Sequence, residues 1–169
     1  MEVYEAIRTV LAVRDFQSRP VPDDVIGRIV ESARLTASST NGQPWHFVII
    51  QERDTLRGLG SLIRSGPYTA QAAFAIAVAV DKSSPYGVSD ASRAIQSMAL
   101  TAWAEGVGSN WAGWVGMTQV AELLGVPDSI DVVAVMPFGY PAQARTAGKK
   151  RRKALSEVAH RERFGQPFG

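Results

Sequence analysis

Residues 36–50 read TASSTNGQPWHFVII and join a polar, hydroxyl-rich stretch directly to an apolar one. Ser, Thr and Asn side chains bond to nearby backbone groups, Gly42 widens the accessible φ range and Pro44 narrows it, so the pattern predicts an ordered loop. The loop leads out of an amphipathic helix and into a strand. Polar loops held between rigid elements often carry small-molecule sites, although ordinary turn chemistry explains the same composition.

Outward from this loop, helical and strand patterns alternate along the chain. Apolar residues at helical spacing predict a helix after Asp23 and Asp24, whose charges favour a helix N-terminus. The other predicted segments are helices near 2–11, 54–63, 91–104 and 120–124, a buried strand over 45–51, central strands over 74–81 and 130–136, a strand and turn over 109–115, and an amphipathic turn at 155–158. This alternation predicts a layered α+β sandwich.

Length and composition favour one domain with a substantial core. The chain has 169 residues, 46% of them hydrophobic, and no linker or internal repeat is visible. It contains no cysteine, which excludes disulfides, thiol catalysis and cysteine-ligated metal. No apolar run reaches the roughly 18 residues of a membrane span, and the N-terminus lacks a secretory signal pattern, so a cytoplasmic location is expected.

Basic charge is concentrated towards the C-terminus. Residues 145–163 hold eight Lys and Arg against two Glu, a net charge of +6, whereas residues 1–144 have a net charge of −4. A run such as 149–153, KKRRK, is commonly a solvated tail, but it could also bind nucleic acid, an anionic surface or a phosphate group. Nucleic-acid binding favours aromatic residues among the charges, and here they come only after the run. A phosphate clamp held against the acidic body fits better.

A search for catalytic motifs finds none. G-x-G-x-x-G and the P-loop spacing are absent, and no Ser, His and acid set lies in a G-x-S-x-G context. The two histidines are too few for a histidine-rich metal site, and His46 is more typical of a structural role. Two features stay open: Arg14 forms a salt bridge or serves a ligand, and Trp111 and Trp114, which flank Gly113, pack in the core or stack on a planar ligand.

Several motifs together resemble the nitroreductase family of flavin-dependent oxidoreductases, in its short single-domain form. They are IR at 7–8 with VRDF at 13–16, VPDDV at 21–25, ASSTNGQPWHFVII at 37–50, G-x-G-S-x-W at 106–111, PFGYP at 137–141, and the end of the basic tail, ALSEVAHRERFG, at 154–165. The resemblance extends along essentially the whole chain, and the stretch from Ser38 to Phe47 is its most specific part.

The resemblance implies a three-layer α/β/α sandwich, an intertwined homodimer, and residues 1–169 as one domain whose basic arm, 142–169, packs on the body or on the partner subunit. It also implies FMN at the subunit interface and ping-pong transfer of hydride from NADH or NADPH to nitroaromatics, quinones or similar small acceptors. The flavin would carry the chemistry, which accounts for the lack of a catalytic residue set. No metal, nucleic acid or membrane is expected as a partner.

The resemblance further assigns cofactor-binding residues. Arg14 matches the basic residue beside the N1 and C2-carbonyl edge of the flavin, where positive charge stabilises the reduced, anionic form. Ser38, Ser39 and Asn41 match the loop that contacts the cofactor across the interface. The other matches are Trp111, Ala112, Gly113 and Trp114 beside the reactive N5 face, and Lys150 and Arg152, with Lys153 adjacent, at the phosphate.

One departure from the family pattern concerns the phosphate site. The common Arg-Arg-Ser-x-Arg motif corresponds here to Val10, Leu11, Ala12, Val13 and Arg14. Losing two contacts to a charged group removes roughly 1.5–3 kcal/mol for each, unless Arg8 or the run 149–153 compensates. Two other hypotheses therefore stay open: a flavin-binding, flavin-storage or degenerate non-catalytic homologue, and a tail-driven binder of anionic polymers. The acceptor and the choice between NADH and NADPH are also left open.

Overall fold

The computed structural model describes residues 1–113, 116–143 and 150–168. Its helices are α1 (Val3–Thr9), α2 (Asp23–Arg34), α3 (Arg53–Leu62), α4 (Gly87–Ala104), α5 (Met117–Leu124) and α6 (Leu155–Val158). Its strands are β1 (Trp45–Ile50), β2 (Phe74–Asp81), β3 (Gly108–Ser109) and β4 (Ile130–Gly139). Short 3-10 turns lie at Ser39–Asn41 and Pro67–Gln71. No described helix is long and apolar enough to span a bilayer.

The described strands form one antiparallel sheet in the order β1-β2-β4-β3. Central strand β2 pairs with β1, where Trp45 lies opposite Val80, and with β4, where Phe74 lies opposite Phe138. The rings of Phe74 and Phe138 stack with their centroids 4.8 Å apart. Residues 74–80 are all buried. A continuous apolar run of this kind suits a strand that is covered on both faces.

The side chains of β2 alternate between two cores, one on each face of the sheet. Ile76 and Val78 face α2 and α4, whereas Ala75 and Ala77 face α3 and α5. The first core also contains Ile29, Ala33, Ala94 and Met98, and the second contains Leu56, Leu59 and Val120. A helical layer thus covers each face, which confirms the predicted three-layer α/β/α sandwich.

Strand β1 is an edge strand, and the prediction that it is buried was wrong. Only its end residues, Trp45 and Ile50, are buried. Among the described residues β1 pairs with β2 alone, so its other edge lacks a strand partner. An apolar run indicates that both faces of a strand meet apolar neighbours, as Phe47 and Val48 of β1 do in the two cores, and it carries no information about a second neighbouring strand.

Strand β4 continues through Pro137 to Gly139, beyond the predicted end at residue 136. Val135 exchanges both backbone hydrogen bonds with Ala112, at 2.8 and 2.9 Å. In a strand, the N–H groups of residues i and i+2 point to the same edge. The nitrogen of Pro137 therefore points to the same edge as the N–H of Val135, towards the residues that lie between β3 and Ala112. A proline is tolerated there because its missing N–H has no strand partner to satisfy.

The segment after α1 runs along the β3 edge of the sheet. The N–H of Val13 donates to the Ser109 carbonyl at 2.9 Å, and the N–H of Gln17 donates to the Tyr140 carbonyl at 2.8 Å. Between them, Phe16 is buried against Gly139. This pairing brings the N-terminal motif, residues 13–16, beside the residues that follow α4 and β4.

Candidate functional site

Arg14 lies on the N-terminal segment where that segment approaches β3 most closely. A Cβ at Gly108 would lie 2.4 Å from Cγ2 and 2.7 Å from Cβ of Val13, so only glycine permits the contact. The side chain of Arg14 is exposed and makes no hydrogen bond or ion pair with the residues that the structure describes. The salt-bridge interpretation of Arg14 therefore finds no partner among them, and its guanidinium is available to a ligand.

The predicted segment Trp111–Gly113 directly follows β3, on the same side of the molecule as Arg14. Ala112 and Gly113 are buried and Trp111 is half-buried. Gly113 is held by Ser65, whose hydroxyl donates to the Gly113 carbonyl at 2.9 Å and accepts from the Gly113 N–H at 3.3 Å. Trp114, the fourth residue predicted here, lies outside the described residues.

Two polar residues beside this segment were missed by the sequence analysis. The side-chain amide of Asn110 donates to the hydroxyl of Tyr68, and both residues are half-buried. Because that hydroxyl accepts, its own proton remains available to a neighbouring acceptor. Tyr68 lies in the 3-10 turn before β2, 42 residues from Asn110. Only the folded chain reveals the pair.

Basic residues from two distant parts of the chain meet at the C-terminal end of α1. The Lys150 ammonium donates to the Ile7 carbonyl at 2.6 Å. Partial burial lowers the pKa of Lys150, and the nearby charges of Arg152 and Arg8 lower it further. We call Arg8, Lys150 and Arg152 the cation cluster. Mutually repelling cations of this kind are well suited to a phosphate group, which would relieve their repulsion.

The residues that replace the family's Arg-Arg-Ser motif lie between the cation cluster and Arg14. Val10 and Leu11 are half-buried, and Ala12 forms a parallel bridge with Ser109. The side chains of Val10–Ala12 offer no donor to an anion. Arg8 is exposed and holds Glu5 through two hydrogen bonds of 2.8 and 2.9 Å. The cationic groups at this end of the site therefore come from α1 and from the arm.

The loop with the predicted residues Ser38, Ser39 and Asn41 is tightly folded, as expected for an ordered loop. Thr40, Asn41 and Gln43 have φ values of 53°, 55° and 48°, in the left-handed region that non-glycine residues seldom occupy. The Ser38 hydroxyl accepts from the Gln43 N–H at 3.0 Å. The exposed side chain of Asn41 makes no hydrogen bond within the described residues.

Ser39 is bound to α4 by a residue that the sequence analysis missed. Its N–H lies 3.1 Å from each carboxylate oxygen of Asp90, and its hydroxyl donates to the same carboxylate at 3.0 Å. Within the described residues, no hydrogen bond or ion pair joins this loop to Arg14, Trp111–Gly113 or the arm. The structure thus joins the N-terminal segment to β3, which lies just before Trp111–Gly113, and α1 to Lys150 of the arm. It shows no such bond from the described part of these segments to the Ser38–Asn41 loop.

Comparisons with known proteins show which family the chain resembles. The sequence model of the nitroreductase family matches residues 8–84 and 63–140. A provisionally named NADH dehydrogenase/NAD(P)H nitroreductase of Archaeoglobus fulgidus is 31% identical, over 96% of this chain and 99% of the relative. A relative of the same name from Methanothermobacter thermautotrophicus is 32% identical, over 85% of this chain and 79% of its own length.

Solved structures give the same result for the fold. The crystal structure of a provisionally named NADH dehydrogenase/NAD(P)H nitroreductase from Parabacteroides distasonis superposes with a TM-score of 0.87 at 28% identity, covering 94% of this chain and 96% of that one. A provisionally assigned nitroreductase from Desulfovibrio desulfuricans, crystallised in complex with FMN, gives 0.82 at 29% identity, with 97% and 98% coverage.

Proposed function

Because this chain belongs to the nitroreductase family, we propose that it is an FMN-dependent oxidoreductase. It takes hydride from NADH or NADPH and passes electrons to nitroaromatics, quinones or similar small acceptors in a ping-pong cycle. Bound FMN would supply the redox chemistry, and the protein would bind, orient and electrostatically tune it. This division of labour accounts for a sequence in which no nucleophile motif is recognisable.

The observation that carries this proposal is the cation cluster. Lys150 docks on the Ile7 carbonyl close to Arg152 and to Arg8, which is itself paired with Glu5, so positive side chains lie at one end of the candidate site. A phosphate monoester is the group that such a cluster binds best, since its oxygens accept charge-assisted hydrogen bonds from arginine and lysine. In this assignment Arg8 and the arm take over from the polar residues that are absent at Val10–Ala12.

At the other end of the site, Arg14 and the segment Trp111–Gly113 are assigned to the ring system. The Arg14 guanidinium would supply positive charge where negative charge develops on reduction. In the neighbouring segment the N–H groups of Ala112 and Gly113 are engaged by Val135 and Ser65. The N–H of Trp111 bonds to no described residue, so it is the backbone donor available to a planar ligand.

We also propose that the protein is a homodimer, with the Ser38–Asn41 loop of one subunit contributing to the site of the other. Several large apolar side chains are exposed on the isolated chain, among them Val3, Tyr4 and Ile7 on α1, Leu155 and Val158 on α6, and Phe164. Tyr4 is 77% exposed and Phe164 93%. Large apolar side chains that are exposed on an isolated chain often become buried in a protein interface. Light scattering should give twice the chain mass of 18.2 kDa.

The test of function is the visible spectrum of the FMN-loaded protein without oxygen, before and after NADH or NADPH is added. Loss of the flavin bands and their return with a quinone would support turnover. A bound flavin that neither nicotinamide reduces would favour the second candidate, a flavin-binding, flavin-storage or non-catalytic homologue. The apolar residues Val10–Ala12 are the observation that favours this second candidate. A protein that does not bind FMN at all would overturn both.

A further inference from the structure

Asp90 is a buried carboxylate to which the proposed function assigns no role. Its side chain is 1% exposed. It lies in the first turn of α4, where the helix dipole favours negative charge. A carboxylate withdrawn from water to this extent destabilises the fold unless its oxygens are fully hydrogen-bonded. Here the Ser39 N–H, the Ser39 hydroxyl and the Arg93 guanidinium all donate to it, at 2.8–3.1 Å.

The Asp90–Ser39 contact is one of three that attach residues 36–39 to a single face of α4. Asp90, Arg93 and Ser97 are spaced i, i+3, i+7 and therefore lie on one face of the helix. Arg93 donates to the Ala37 carbonyl at 3.3 Å, and the Thr36 hydroxyl donates to Ser97 at 2.7 Å. Residues 36–39 are thus fastened to α4 in order along the helix.

These contacts determine which groups of the loop face outward. The Ser39 hydroxyl donates to Asp90 and accepts from Arg93 at 3.3 Å, so it is engaged within its own chain. The Ser38 hydroxyl only accepts a bond, so its proton remains available, as does the amide of Asn41. The left-handed backbone at Thr40 and Asn41 is unfavourable and persists only where neighbouring contacts impose it.

We propose that Asp90, supported by Arg93, is the positioning residue that holds the Ser38–Asn41 loop in the conformation that binds FMN. The inference rests on the proposed function and adds a residue that touches neither flavin nor substrate. Ser39 is then a structural anchor, and Ser38 and Asn41 are the side chains that the loop presents. An asparagine at position 90 would keep the oxygen that accepts from the Ser39 hydroxyl and Arg93. It would turn an NH₂ donor towards the Ser39 N–H and would remove the negative charge that pairs with Arg93.

The test compares Asp90→Asn with Asp54→Asn, which removes a carboxylate from a matched but exposed pair. Asp54 and Arg57 are also an i, i+3 pair in the first turn of a helix, α3, and they hold no loop. FMN affinity is measured by fluorescence quenching on apo-protein, at a temperature where each variant is fully folded. Amide hydrogen exchange reports on residues 36–43.

We expect D90N to raise the Kd for FMN about tenfold to a hundredfold, the effect of one hydrogen bond to a charged group, and to speed exchange in the loop. We expect D54N to stay within about twofold of wild type.

A positioning role also requires that Asp90 and Ser39 be coupled. Asp90→Asn should weaken FMN binding much less in a Ser39→Ala background than in wild type. If D90N does not fold, Arg93→Gln replaces it, since Arg93 is half-exposed and bridges Asp90 to the Ala37 carbonyl. Wild-type affinity in the folded D90N or R93Q protein overturns the inference and leaves the proposed function intact. Wild-type protein that fails to bind FMN overturns both.

Discussion

Gly108→Ala should disrupt the contact that positions Arg14. The added methyl would lie 2.7 Å from Cβ of Val13 as well as 2.4 Å from its Cγ2. Rotation about χ1 moves Cγ2 but leaves Cβ in place, so the backbone of one strand must shift. Both are held, Val13 by its bond to Ser109 and Gly108 by pairing with Gly139. Overpacking of this kind costs typically 1–3 kcal/mol, and because no rotamer relieves it we expect about 2–3 kcal/mol.

Urea unfolding of the apo-protein measures the loss in free energy of unfolding caused by Gly108→Ala. A second substitution, at Val13, tests whether the clash is its cause. In a Val13→Gly background the new methyl has the vacated space, so Gly108→Ala should be nearly neutral there. The coupling free energy should therefore be about 2 kcal/mol. Gly27→Ala is the matched control: Gly27 lies within α2 with no atom within 4 Å of the added methyl, and alanine should stabilise that helix by about 0.5–1 kcal/mol. Equal costs of G108A in the wild-type and Val13→Gly backgrounds would refute the steric explanation.

Three further predictions concern the cofactor. Replacing Lys150 and Arg152 together by alanine should weaken FMN binding at least tenfold and leave riboflavin, which lacks the phosphate, within about twofold; equal losses for the two flavins would exclude a phosphate role. Since the pKa of Lys150 is lowered in the apo-protein and a bound phosphate would raise it again, FMN binding at a pH above the lowered value takes up a proton, and FMN affinity, but not riboflavin affinity, should fall as the pH rises through that value towards the ordinary lysine pKa. Heterodimers of D90N with K150A/R152A chains should bind one FMN tightly if loop and arm serve a site from different subunits, and none if they serve it from the same subunit.

Sequence patterns located the regular elements well where burial is continuous. The run FAIAVAVD predicted β2 with its observed bounds, Phe74–Asp81, because seven consecutive buried apolar residues allow few alternatives. The start of α4 was placed four residues late. Gly87 reads as a helix breaker, whereas in the fold it begins the helix in close contact with Val80. Tertiary packing overrode the local propensity there.

The candidate site was predictable only in part, for a different reason. The resemblance named Arg14, Ser38, Ser39, Asn41 and the tail lysine and arginine, and those assignments remain predictions. Residues that hold the named ones in place, such as Asp90 and Ser65, are remote in sequence from their partners: Asp90 is 51 residues from Ser39. Asp90 lies outside the predicted helix 91–104, and nothing local to Arg93 or Ser97 identifies the loop that they meet.

The pairing of residues 12–17 with Ser109 and Tyr140 has a consequence for biosynthesis. The segment that carries Arg14 is translated well before the strand edge that receives it, which is complete only after residue 141 has been made. At typical elongation rates of roughly 5–20 residues per second, that segment waits on the order of ten seconds without its native partners. Lys150 and Arg152 emerge later still. The candidate site therefore cannot form before the arm has been translated, and cofactor capture follows the synthesis of Lys150 and Arg152.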